Sequence, residues 1–179
     1  QIKNFSFQLG LRMESSRYVG ELTTKSQRFS NQYPFSFFPS VYLTQKLGNR
    51  SDLQLNYSRK INRPNFFQLI PFIDFSDSLN LTVGNPSMIP EFTNLVEIGY
   101  QTQYSTSNSL LVNLYGRNTT NLITRYQYKG SNPNPAKSDS VIFSSYANAN
   151  RSYTVGIEFT GKNKFTKWWE LTTNVNLFN

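Results

Sequence analysis

The chain has 179 residues, a formal charge of +8, and neither cysteine nor histidine. Without Cys there is no disulfide framework or thiolate metal site, and without His the commonest general base and metal ligand are gone. The ten acids are dispersed and the basic residues scattered, so no catalytic residue, metal, cofactor or nucleic-acid partner is predicted.

Aromatics make up 16% of the chain and apolar residues 37%, with Asn, Ser, Thr and Gln filling the remainder. That is a β composition. The first predicted strand is KNFSFQLGLRMES, with Phe5, Phe7, Leu9, Leu11 and Met13 on one face and Asn4, Ser6, Gln8, Gly10, Arg12 and Glu14 on the other. Ser15 to Gln32 carries no strong pattern. The second strand, PFSFFPSVYLTQKL, puts Phe35, Phe37, Val41, Leu43 and Leu47 in phase. Pro39 marks a bulge or strand end, because proline has no N–H for a ladder. GNRSD (Gly48–Asp52) turns the chain into the third strand, Leu53 to Asn62.

A connection then runs from Arg63 to Glu91. Its four prolines rule out a regular helix, and loops this long are often functional. Arg63–Pro64 and Gly84–Asn85–Pro86 read as turn chemistry, in which Pro fixes φ and Gly or Asn accepts positive φ. The fourth strand is FTNLVEIGYQTQY. The fifth starts at Leu110 and runs towards Tyr126, and YKGSNPNPAKSD is a polar loop. The sixth spans Val141 to Phe159, KNKFTK turns the chain, and WELTTNVNLFN is the seventh. Glu97 and Glu158 would meet only if their strands were neighbours. Gln1 is no initiator Met and no signal peptide is visible, so the true N-terminus is expected upstream.

Short turns alternate with long loops, so a meander places all the short turns at one end. Transmembrane barrels have this asymmetry. About ten tilted residues cross the roughly 25 Å apolar band of such a barrel, and several of these strands have that length. The opposite face carries Gly and charge, and aromatics gather near strand ends (Trp168, Trp169, Tyr104, Phe35, Phe37, Phe38), where interfacial girdles belong. A soluble antiparallel sandwich also alternates. Arg59 and Arg151 fall on the greasy phase and are expected near the long-loop interface, where a lipid-facing Arg costs about 0–1 kcal/mol.

NYSRKINRPNFFQLIPF (Asn56–Phe72) and VGNPSMIPEFTNLVEIGY (Val83–Tyr100) resemble the barrel of TonB-dependent receptors, closest to the outer-membrane β-barrel family typical of Bacteroidetes. GLRME (Gly10–Glu14), FFPSVYLTQKL (Phe37–Leu47), YGRNTTNLITR (Tyr115–Arg125) and YANANRSYTVGIEF (Tyr146–Phe159) follow in the expected order, with Asn150 where that family often has Gly. The resemblance implies an all-β, antiparallel up-and-down transmembrane β-barrel in the outer membrane of a Gram-negative bacterium. Residues 1–179 would supply about seven strands of a barrel of about twenty-two, without its plug or the remainder of its wall.

The parent would import a small-molecule, glycan or peptide ligand, driven by TonB through the plug. Arg63, Phe66, Phe67, Phe72 and Phe75 become candidate extracellular ligand contacts, with loop packing as the alternative for the aromatics. Arg12, Lys60, Glu97, Arg117 and Glu158 become candidate lumen or plug contacts, with a charge network in the wall as the alternative. A soluble sandwich that binds carbohydrate or protein, and an outer-membrane assembly or adhesion barrel without transport, remain as other readings.

Overall fold

A computed structural model describes residues 4–22, 27–77, 80–135 and 139–179. Seven long strands form the wall: β1 (Phe5–Leu22), β2 (Gln27–Lys46), β3 (Ser51–Asn62), β6 (Glu91–Ser105), β7 (Asn108–Ser131), β8 (Ser140–Lys164) and β9 (Glu170–Phe178). Between β3 and β6 lie one helical turn, α1 (Phe66–Leu69), and two short strands, β4 (Ile73–Asp74) and β5 (Asn80–Val83). The long strands pair antiparallel in the order β1-β2-β3-β6-β7-β8-β9. β5 joins the upper edge of β8 in parallel and carries β4 on its far side. The sheet is open, with β1 and β9 at its two ends.

Register decides which face is which, because directly paired residues share a face. One row of partners reads Phe7, Leu43, Leu55, Ile98, Leu114, Ile157 and Leu177, one apolar residue from each long strand. The row above it reads Leu9, Val41, Tyr57, Val96, Gly116 and Val155. On the opposite face Ser6, Thr44, Gln54, Gly99, Asn113, Glu158 and Asn176 form a polar row. No residue of the apolar rows is buried, and among the described residues no second sheet or helix lies over them. A sandwich would cover this face with protein, so that reading falls.

The apolar belt slopes across the hydrogen-bonded rows. On β1 and β2 it climbs to the pair Met13–Phe37, while on β8 it stops at Val155, and Tyr153 and Arg151 follow above. At its lower side it reaches Leu171 on β9. Strands tilted by roughly 40° through a level slab produce this slippage.

Several expectations are corrected. Ser15 to Gln32 is no plain loop: β1 continues to Leu22 and β2 begins at Gln27, and only residues 23–26 of that stretch lie outside the described residues. The pattern fades there because the register shifts between Glu14–Ser36 and Ser16–Tyr33, which gives β2 one extra residue around Pro34 and Phe35. Likewise β7 runs on to Ser131 and β8 runs from Ser140 to Lys164. The turn therefore comes at 165–169, after the first half of KNKFTK. Residues 136–138 of the predicted polar loop lie outside the described residues. Asn150 keeps an ordinary backbone; among the described non-glycine residues the left-handed one is Asn121, at φ 56°.

Buried apolar side chains collect at the long-loop end. Leu69 and Met88 are fully enclosed and pack with Phe29, Tyr18, Ile70, Ile123 and Tyr146. A second cluster joins Leu81, Val141 and Phe143 with Ile73 and Val83. The polar face is also built with care. A Cβ on Gly156 would lie 2.5 Å from the Tyr115 ring, which crosses that position so that its hydroxyl donates to Asn176 Oδ1 at 3.2 Å. Gly156→Val is expected to swing the ring off and to cost about 1–3 kcal/mol. Denaturant midpoints of the full-length barrel check this, and adding Tyr115→Ala should recover part of the loss, since contacting sites are non-additive.

Candidate functional site

The connection between β3 and β6 is held on both sides. Asn65 caps α1: its side chain accepts from the Gln68 N–H at 2.9 Å, and the Gln68 side chain accepts from the Asn65 N–H at 2.8 Å. Arg63 reaches back to β1, where it donates to the Ser16 hydroxyl at 3.1 Å and pairs with Glu14, which Arg12 also contacts at 2.6 Å. Asn31 on β2 donates to the carbonyls of Pro86 and Met88 at 2.8 and 2.9 Å, and the Tyr33 hydroxyl donates to the Met88 carbonyl at 3.3 Å.

From the other side, Asn148 on β8 accepts from the Ile89 N–H and donates to the Ile89 carbonyl, both at 2.9 Å. Asn85 donates to the Tyr146 carbonyl at 3.0 Å. Gly84 has ordinary φ, so the expected positive-φ role is wrong. It is needed for close approach instead: a Cβ there would lie 2.5 Å from the Ile70 carbonyl oxygen, to which Gly84 donates at 2.8 Å.

The five predicted loop contacts do not converge. Arg63 is an anchor. Phe66 packs its ring 6.2 Å from Phe29, and Phe67 sits edge-on to Phe66 at the same distance. Phe67 and Phe72 line a depression of about 270 Å³ with Ile70, Ile73, Asp74 and Thr82. Phe75 is exposed and stands outside it. The hydroxyl of Ser76, with its backbone N–H, holds the Asp74 carboxyl below its ordinary value.

The five predicted polar-face residues separate into two kinds. Glu97 accepts from Asn113 at 3.4 Å and Glu158 from Asn174 at 2.8 Å. The two carboxylates do not meet, because β7 runs between their strands. Lys60 and Arg117 line a depression of about 480 Å³, and Arg12 lines a neighbouring one of about 410 Å³ that Lys60 shares.

Phe38, expected in the interfacial girdle, instead pairs with Arg12 on the polar face and is buried, and it meets Phe92. The β2–β3 ladder ends at Ser40–Ser58, and Pro39, which has no N–H, is the next residue. Where the two strands part, Arg12 lies 5.1 Å over Phe38, Phe38 stacks on Phe92 at 6.3 Å, and Arg59 lies 4.9 Å over Phe92. Cation–π contacts thus cap both ends of an aromatic pair. Arg59 shares a row with Asn94, Asn118 and Tyr153, beyond the apolar rows, and Arg151 donates to the Tyr153 hydroxyl at 2.8 Å. Both stand at the long-loop rim of the belt, as expected. At the opposite end Phe165 and Trp169 pack at 4.7 Å and Trp168 is 86% exposed. That is the placement of an interfacial girdle.

Residues 1–179 match, over the whole chain, the family described as "Outer membrane protein beta-barrel family". The chain belongs to that family. Its apolar belt therefore faces outer-membrane lipid, its polar face lines the lumen, and its short turns are periplasmic. No curated protein matches the chain.

Solved structures do match this family member. The siderophore receptor PirA from Pseudomonas aeruginosa aligns with a TM-score of 0.70 at 16% identity, covering 85% of this chain and 30% of that one. A mutant of the ferric enterobactin receptor PfeA from Pseudomonas aeruginosa aligns at 0.67 with 14% identity, covering 99% and 24%. The FrpB iron transporter from Neisseria meningitidis aligns at 0.65 with 12% identity, covering 99% and 24%. At these identities the likeness is one of fold. The chain spans less than a third of the length of each of these proteins.

Proposed function

We propose that the chain is a section of the barrel wall of a TonB-dependent receptor that imports a small-molecule, glycan or peptide ligand across the outer membrane. One observation carries this reading: nearly the whole chain, 99% of it, aligns in fold with part of a ferric enterobactin receptor. The similar structures are siderophore receptors, an iron transporter and a hemophore receptor. The Bacteroidetes-type assignment rests on the sequence motifs alone.

In this reading the parent chain adds a plug and the remaining strands. A closed barrel is required because β1 and β9 otherwise present unpaired backbone to hydrocarbon. The lumen face, with Arg12, Lys60, Glu97, Arg117 and Glu158, receives the plug. Phe67, Phe72 and Phe75 on the connection are the extracellular contacts left free to meet a ligand, while Arg63 and Phe66 hold the connection in place. The test is complex formation with TonB in membranes that contain the full-length protein. A stable complex with the C-terminal domain of TonB supports the proposal. Its absence, with the barrel folded and heat-modifiable on a gel, favours an assembly or adhesion barrel.

A further inference from the structure

The lipid-facing phase of β7 and β8 continues far above the apolar belt. The belt ends at Val155, and Tyr153 and Arg151 follow it. Higher pairs on the same phase are Thr124–Ala147, Tyr126–Ser145 and Tyr128–Phe143. The phase does not turn inward on the way, because Ile123, on the alternate phase, still packs with Leu69 and Met88 of the connection on the lumen side. Tyr126 and Tyr128 therefore face outward, away from the lumen. Between Val155 and Ser145 the strand climbs roughly 25 Å, at about 3.3 Å per residue and a tilt of about 40°.

The rings form one shelf. Tyr126 stacks on Tyr128 with centroids 5.9 Å apart, and Tyr128 stacks on Phe143 at 5.2 Å with planes 11° apart. Phe143 is buried with Leu81 and Val141, and so seats the row on a packed cluster. Its ring crosses Gly130, where a Cβ would lie 2.8 Å from it. Tyr126 and Tyr128 are each 44% exposed, and among the described residues neither hydroxyl has a hydrogen-bond partner. No charged residue shares their rows, since Arg125 and Lys129 belong to the other phase.

We infer that this shelf docks the saccharide chain of an outer-leaflet glycolipid. A ligand inside the lumen cannot reach an outward face, and acyl chains end far below it. A molecule anchored in the same leaflet and rising well above the hydrocarbon can. The C–H face of a sugar ring is apolar and weakly positive, which suits the negative face of a tyrosine ring, and its hydroxyls meet the free phenols. Size favours a sugar over a protein: two half-exposed rings offer roughly 200 Å², against about 800 Å² per partner in a stable protein interface. The lack of charge in these rows argues against recognition of an anionic group. The inference rests on the barrel architecture and not on transport: the shelf would dock sugar in a barrel that imports nothing, so its failure and that of the importer reading are separate results.

The test is calorimetry of the full-length protein in neutral detergent with two probes. One is lipopolysaccharide that carries its core oligosaccharide. The other is a deep-rough form that keeps the acylated, phosphorylated base and lacks the outer sugars. The longer form should bind about tenfold more tightly, the gain expected from two stacked rings, and the released core oligosaccharide should compete with it. Tyr126→Ala with Tyr128→Ala should abolish the difference between the probes. Tyr126→Phe with Tyr128→Phe keeps the rings and should preserve most of it. Tyr42→Ala, at a half-exposed ring on the lumen face, should leave it unchanged. Heat-modifiable mobility confirms that each variant is folded. Equal binding of the two probes, no competition by the free oligosaccharide, an unchanged difference in the alanine variant, or the same loss in the Tyr42 variant would overturn the docking site.

Discussion

Leu69→Ala is expected to loosen the whole β3–β6 connection, at a cost of about 2–5 kcal/mol, the range for emptying a fully buried leucine site. Leu69 is fully enclosed, and the cluster it belongs to draws on β1, β2, the connection itself and the β7–β8 hairpin. The void cannot close by local collapse, because Asn31, Asn148 and Arg63 pin the segment to separate strands. Hydrogen exchange in the full-length barrel reads the effect. Protection should fall across residues 63–91, while the membrane-level rows of β6 and β7 keep theirs. Phe67→Ala, at a ring that is 77% exposed, should shift protection by less than about half a kcal/mol. Equal protection in the Leu69 variant and the parent would mean that the connection is held by its polar anchors alone.

Ile98→Arg should cost about 2–4 kcal/mol, the value for a cation facing lipid at the midplane of a barrel. Ile98 lies in the apolar row between Leu55 and Leu114. Gln54→Arg, on the lumen face where Gln54 pairs with Gly99, should stay within about half a kcal/mol. Reversible denaturant titration of the full-length barrel into lipid vesicles measures both. If the two substitutions cost the same, water rather than hydrocarbon meets the apolar rows.

Much of the wall was legible because lipid on one side and water on the other enforce strict alternation. Phe5 to Met13 shows it without interruption, and Leu53 to Ile61 and Leu171 to Leu177 show it with one polar residue each in the apolar phase, Arg59 and Thr173. Legibility ends at the rim of the membrane. Above Glu14 the lumen-side positions carry Tyr18, Phe29 and Tyr33, which pack beneath the connection, so the aromatic phase moves to the other face. The one-residue shift at Pro34 and Phe35 blurs what is left.

The site residues divide for a similar reason. Lys60 and Arg117 could be placed on the lumen face from parity alone, but their shared depression depends on β6 lying between β3 and β7. Arg63 reads as a ligand contact in the sequence because nothing local announces Glu14 as its partner, 49 positions away in the chain. Asn31, Asn85 and Asn148 were hidden in an Asn-rich composition, although their amides fasten the connection.

The parallel seat of β5 on β8 constrains the order of events during assembly. β6 and β7 are joined by residues 106–107 alone and can zip from that turn, where closure entropy is small. Leu81 has no seat until Phe143 on β8 has been laid against β7. The segment between β3 and β6 is thus among the last to settle, and until then its aromatic residues have no packed neighbours on β8.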